Sequence, residues 1–197
     1  MRRGGDADWP VDLAGVTETV VATLGPNDRW NLAALGVHAP TEGEPATATT
    51  WGNTRTRRNF LREGGGVVQF VADPVVFADA ALSVLEREDP VSDAADAWAR
   101  VEAERVGADD DEGTRREHWA LRPVESAVVR ESPRTVDRGF CAVVEATVAA
   151  SRLGVAAYDT DALRDRLRYF ESVVESAGSD REREAMARVR EHADGGW

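Results

Sequence analysis

The stretch that decides how this chain is read runs from residue 51 to residue 74: Trp51-Gly52-Asn53-Thr54-Arg55-Thr56-Arg57-Arg58-Asn59-Phe60-Leu61-Arg62-Glu63-Gly64-Gly65-Gly66-Val67-Val68-Gln69-Phe70-Val71-Ala72-Asp73-Pro74. A β-branched run, Ala46 to Trp51, leads into it and puts Thr47, Thr49 and Trp51 on one face of a strand. Gly52 permits a tight turn, and Asn53 or Thr54 can cap a helix carried by Thr56 to Glu63. Three glycines at 64–66 end that helix, and Val67 to Val71 read as the next strand. Asp73 and Pro74 then open another helix, whose apolar side is Val75, Val76, Ala78, Ala81, Leu82 and Leu85. Free backbone N–H groups at a helix start point outward and favour an anion. Asn53, Thr54 and Thr56 add side-chain donors, and Arg55, Arg57, Arg58 and Arg62 place four positive charges within eight residues of an otherwise acidic chain. A phosphate monoester suits this place. An ordinary capped helix with a solvated arginine face fits the spacing equally well.

Upstream, Glu18 to Leu24 reads as a strand, Gly25-Pro26-Asn27-Asp28 as a turn, and Trp30 to Val37 as the returning strand. The returning strand carries unusually small side chains. Around Asn31, the residues Ala33, Ala34 and Gly36 would let a flat ring lie against the backbone and bond to it. The same pattern also describes an ordinary core strand under a helix. His38 ends the strand beside the candidate site. Residues 1–13 are Gly- and Asp-rich and are expected to form a flexible tail.

Downstream, residues 93–130 are ambiguous. Ala94 to Arg105 are rich in helix formers, yet Ala97, Val101 and Ala103 alternate with Trp98, Arg100, Glu102 and Glu104 at the strand period. The acidic, Gly-containing run 109–113 resembles a hairpin tip, so residues 94–106 and 118–130 are expected to pair as antiparallel strands. From Pro133 onward the spacing is helical: one helix through Phe140 and Thr147, a second from Asp161 to Ala177, and a third opened by a Ser179–Glu182 capping box. The expected architecture is α+β, with a tail at 1–13, a β-domain at 14–131 and a helical subdomain at 132–197.

Composition narrows the chemistry. Acidic residues outnumber basic ones by 36 to 24, giving a net charge of −12, and every basic residue is arginine. A dense carboxylate surface stays hydrated in concentrated salt, so the balance reads as the style of an extreme halophile. It argues against general nucleic-acid binding, which needs a basic face. Without lysine there is no Schiff base and no Walker A loop. Cys141, alone in the sequence, offers no internal disulfide and reads as a small buried hydrophobe. His38, His118 and His192 are scattered, read as loop or surface residues, and suggest no metal site. No apolar run suggests a leader or a membrane span, so a cytoplasmic location is expected.

Two segments carry a resemblance. The small-residue strand Asn31 to Val37, then Thr56-Arg57-Arg58-Asn59-Phe60, then Val67 to Val71, resemble the core pattern of FMN-binding split-barrel proteins of the flavin-reductase-like group. Many members carry Asn where this chain has Gln69. Farther on, Arg134-Thr135-Val136-Asp137-Arg138, followed by Val143-Val144-Glu145-Ala146-Thr147-Val148 and Ser151-Arg152-Leu153, is similar to a run in the archaeal domain-of-unknown-function four-four-seven family. Asp137 stands where that pattern has Asn.

The resemblance implies a split β-barrel with a C-terminal helical extension, FMN as cofactor, and a homodimer. It implies that Asn53, Thr54, Arg55, Thr56 and Asn59 hold the phosphate and that backbone from Asn31 through Ala33 to Gly36 meets the ring, with Gln69 near it. Arg134 and Arg138 are candidates for closing the site, or else for pairing with nearby carboxylates. An oxidoreductase of unknown substrate is the first functional reading. A non-catalytic store or sensor of a phosphorylated cofactor is the second, and a deazaflavin in place of FMN is a third.

Overall fold

The computed structural model describes residues 7–111, 113–132, 135–193 and 197. Among the described residues seven strands come mostly first: β1 Val16–Leu24, β2 Trp30–His38, β3 Ala46–Trp51, β4 Gly65–Val71, β5 Leu85–Arg87, β6 Ala95–Asp111 and β7 Thr114–Val128. Helix α1, Arg55–Glu63, lies between β3 and β4, and α2, Pro74–Leu82, follows β4. Helices α3 Arg138–Ala150, α4 Thr160–Ala177 and α5 Asp180–His192 complete the order.

The chain divides into two units, one of residues up to 71 together with 85–132, the other of residues 72–84 together with 133 onward. The first is a barrel. Its strands run in the order β1-β4-β6-β7-β3-β2, every pairing is antiparallel, and β1 pairs with β2 to close the ring. The barrel is split along β2. Trp30 to Leu32 pair with β5, whereas Val37 and His38 pair with β3. Between them, Ala33 to Gly36 have no ladder partner on that edge among the described residues.

The ambiguous region is the β6–β7 hairpin, as the alternation indicated. Its first half pairs with β4 and its return strand with β3, from Trp51↔Arg116 to Ala46↔Leu121. Helix-forming composition yields here because alternate residues must enter the barrel: Ala99, Val101, Ala103, Trp119 and Leu121 all join its core. Helix α1 covers one end of that core, with Phe60 edge-on to Trp119 at 5.1 Å between ring centroids. Gly64 closes α1 in the left-handed region (φ 71°), where a side chain would be strained. At Gly66 a Cβ would sit 2.6 Å from the carbonyl oxygen of Ala22, so β4 can start there only without a side chain.

Of the tail expected at 1–13, residues 1–6 lie outside the described residues; farther on, the Asp8 carbonyl accepts from the Ser126 hydroxyl at 2.9 Å, and Trp9 packs edge-on against Phe70. An aromatic side chain that can reach the core outweighs Gly-rich surroundings. Cys141 is exposed, since α3 turns Ala142, Val143, Ala146 and Ala149 inward instead.

The second unit packs α2 with α3, α4 and α5 around Ala78, Val143, Ala146, Leu167, Val174, Ala185 and Val189. Arg181 on α5 pairs with the α2 cap Asp73 at 2.7 Å. Helix α2 therefore groups with helices that follow it by more than fifty residues, which its local sequence gave no reason to expect.

Candidate functional site

The start of α1 is built by a strand, a glycine and a cap. Strand β3 ends at Trp51, and Gly52 turns the chain with φ 62°. Thr54 is the cap, and its hydroxyl accepts from the N–H of Arg57 at 3.3 Å. The N–H groups of Arg55 and Thr56 precede any helical acceptor. Thr56 is 5% exposed, and its hydroxyl has no hydrogen-bond partner among the described residues.

Sign of charge sets this start apart. Asp73, Asp137 and Asp159 cap α2, α3 and α4, and α5 is closed by the Ser179–Glu182 box. Helix α1 has a threonine cap and no acid in its first turn. Its partial positive charge is thus left without a fixed carboxylate of its own turn.

The arginines of α1 are committed elsewhere. Arg55 pairs with Glu86 at 2.6 Å, Arg58 donates to the Asn53 carbonyl at 2.6 Å, and Arg62 donates to the Leu24 carbonyl and to Glu63. Arg57 donates to Glu117 at 2.8 Å. Glu117 is fully buried, and Arg115 at 3.0 Å and Arg105 at 3.5 Å approach the same oxygen. The hydrogen bond from Arg57, aided by the one from Arg115, holds this carboxyl below the usual range against the opposing cost of burial. Sequence reading did not find Glu117, Arg105 or Arg115. The β3–β7 register places Glu117 opposite Thr50 on the side facing the core, and the β6–β7 hairpin brings Arg105 and Arg115 to it.

The other expected residues separate. Asn59 is buried and donates to the Thr23 hydroxyl at 2.9 Å, so it fastens α1 to β1 and its amide is not turned to the helix start. Asn31 and Ala33 fall on the same side of β2 as the core residues Leu35 and Val37, whereas Gly36 falls opposite. A Cβ on Gly36 would lie 3.0 Å from Val16. Gln69 is fully buried on β4, accepts from the N–H of Ser92 at 2.6 Å, and leaves its amide nitrogen without a partner among the described residues. Arg138 is the exposed first residue of α3, in the helical unit. Arg134 lies outside the described residues.

The face of β3 that carries Thr47, Thr49 and Trp51 borders a cavity of about 740 Å³, lined also by Val16, His38, Glu44 and His118. Farther along that face the Arg116 guanidinium lies over the Trp51 ring, 5.3 Å from its centroid. Strand β3 thus runs from a cavity to a helix start open to an anion. Among the described residues no helix is long and apolar enough to cross a membrane, and no group of three His, Cys, Asp or Glu side chains is placed to hold a metal ion.

An FMN-bound protein of Methanosarcina mazei, itself of the DUF447 family, has a crystal structure that matches with a TM-score of 0.77 at 25% identity, over 92% of this chain and 96% of that one. Flavoredoxin from Methanosarcina acetivorans matches at 0.40 and 11% identity, over 66% of this chain and 77% of its own. Nitrilotriacetate monooxygenase component B from Bacillus cereus matches at 0.42 and 15%, over 65% and 79%. The family model described as protein of unknown function (DUF447), N-terminal domain, matches residues 17–130, and its C-terminal counterpart matches residues 137–191. This chain belongs to the DUF447 family.

Proposed function

We propose that this protein is an FMN-binding flavoprotein of the oxidoreductase type. The observation that carries the reading is the start of α1, where the hydroxyl of Thr56 and the first N–H groups face no acid of their own turn and have no helical acceptor. The FMN-bound family member, similar over 92% of this chain, supports it. The donor set fits a phosphate. The hydroxyls of Thr54 and Thr56, the N–H groups of Arg55 and Thr56, and the amide of Asn53 would hold it, and Arg57 would face it from its seat on Glu117. The unladdered edge of β2 from Ala33 to Gly36 offers backbone donors and acceptors to a planar ring, and Ala33, Ala34 and Gly36 there carry small side chains or none.

When bound, the flavin supplies the electron transfer, and the protein supplies binding, orientation and shielding. Thr54 and Thr56 would fix the phosphate end, and the split in the barrel would fix the ring by backbone contacts. A homodimer belongs to the same reading. Exposed Trp51 and Val106, at 43% and 57% exposure, would be covered by a second copy. A cytoplasmic protein working in concentrated salt is the setting that the acidic composition fits.

The test is a titration with FMN and with riboflavin in multimolar salt, followed by flavin fluorescence. FMN should bind at least about tenfold more tightly, because only it carries the phosphate. Equal affinities would refute the phosphate site. Anaerobic mixing of the loaded protein with NADH or NADPH then separates an enzyme, which bleaches the flavin, from a store, which does not.

A further inference from the structure

In the cavity beside β3 three side chains form one hydrogen-bonded chain. The Thr49 hydroxyl lies 3.1 Å from Nδ1 of His118, and Nε2 of His118 lies 3.1 Å from Oδ2 of Asp109. Thr49 and His118 both line the cavity. Three strands make the arrangement: β3 supplies Thr49, β7 supplies His118 directly opposite it in register, and β6 supplies Asp109 from beyond a bulge. Gly107 is paired with His118 across the hairpin, and a Cβ there would make only ordinary contact with the ring, 3.6 Å from its Cδ2. On its other oxygen Asp109 accepts from Nε of Arg116 at 2.6 Å. The carboxylate is therefore ionised and pinned from a second direction.

We propose that Thr49, His118 and Asp109 form a proton relay for a ligand in this cavity, with Thr49 and His118 at the ligand and Asp109 as the positioning residue. The tautomer follows from the partners. A carboxylate can only accept, so neutral His118 carries its proton on Nε2 and leaves Nδ1 to accept from Thr49. When both ring nitrogens are protonated the direction reverses. The Nδ1–H bond breaks as its proton passes to Thr49 Oγ1, the Thr49 O–H bond breaks as its proton passes to a basic atom of the ligand, and His118 is left neutral. One proton moves and no electrons are exchanged. Run backward, the relay removes a proton from the ligand. The charged and titratable groups around His118 are Asp109 on β6 and Arg116 on β7, with His38 and Glu44 on the cavity wall.

The ligand class rests on the FMN reading: a planar nitrogen heterocycle whose phosphate sits at α1. From Thr49 to the end of β3 at Trp51 the strand advances roughly 7 Å in the direction of that helix start.

Histidine labelled with ¹⁵N tests the relay, since His38, His118 and His192 are the only rings and His118→Asn assigns the signal. Neutral His118 should show its proton on Nε2. Asp109→Asn should remove the carboxylate that fixes this tautomer and move the ring proton toward Nδ1. FMN should shift the His118 signals and leave those of His192 in place. Thr49→Val should abolish that response, and Thr49→Ser, which keeps the hydroxyl, should restore it. Flavin fluorescence in the same samples reports binding independently. FMN that binds while His118 stays unmoved would overturn the relay and leave the FMN reading standing. An Nε2 without its proton, or a tautomer unchanged by Asp109→Asn, would overturn it as well. No binding of FMN at all would overturn both.

Discussion

Replacing Thr56 by valine should weaken FMN more than replacing any single arginine of α1. The two side chains are nearly isosteric and both β-branched, so the helix loses little from the change. Thr56 is 5% exposed, and its hydroxyl has no partner among the described residues, so no internal hydrogen bond is broken. What is removed is one donor to the phosphate. A hydrogen bond to a charged group contributes about 1.5–3 kcal/mol. At about 1.4 kcal/mol per factor of ten, the dissociation constant should rise roughly 10- to 150-fold. The arginines start from a different position. Arg55 is paired with Glu86, Arg58 with the Asn53 carbonyl and Arg57 with Glu117, so each already has an acceptor. In multimolar salt the Debye length is below about 3 Å, so their charge reaches little beyond contact. Arg55→Gln and Arg58→Gln should therefore cost less than about threefold, near the value of an exposed pair. Fluorescence titration of the variants in constant salt measures the difference. If Thr56→Val binds like the parent while one arginine variant loses the flavin, charge holds the phosphate, and the reasoning from the helix start fails.

Glu117→Gln should destabilise the barrel by about 3 kcal/mol, because three arginines lose the buried carboxylate they share; the denaturant midpoint at fixed salt reads this. The same group sets an acid limb. Its folded pKa is depressed, so its contribution is complete above the ordinary glutamate value near about 4.3 and fades as pH falls through the lower folded value. Stability of Glu117→Gln should therefore vary less than that of the parent across that acid range, and parallel profiles would count against the linkage. Phe60→Ala should cost about 3–5 kcal/mol, since it empties a fully buried site against Trp119; a loss below about 1 kcal/mol in chemical denaturation would mean that α1 does not close the core. Static light scattering in multimolar salt should give twice the chain mass at micromolar concentration, and a monomer there would remove the dimer from the functional reading.

Much of the local structure was legible in the chain. Gly25-Pro26-Asn27-Asp28, Gly64, Pro74 and the Ser179–Glu182 box are short-range signals: each acts through the φ range or the capping bond of a few adjacent residues, and each lies where the structure has a turn, cap or helix start, whereas Gly65 and Gly66, expected to end the helix, already open β4. The period of two in 97–104 overrode helix-forming composition for a similar reason, since alternation records which side chains enter a core. The stretch that opens α1, with its threonine cap and absence of acid, was visible as a candidate anion site for the same local reason.

Contacts between distant segments were not legible. Nothing near Asn59 shows that Thr23 takes its amide, and nothing near Arg57 shows that a glutamate sixty positions away holds it. The pairing of Thr49 with His118 arises only because β3 and β7 meet in one register, and a slip of one residue would turn His118 to the core side and Glu117 to the cavity side. Register is set by how the whole barrel closes, a sum of many weak contacts that no single segment encodes. Sequence alone therefore determined which local elements form and which helix starts without an acid of its own, and the closed barrel decided which side chains meet there.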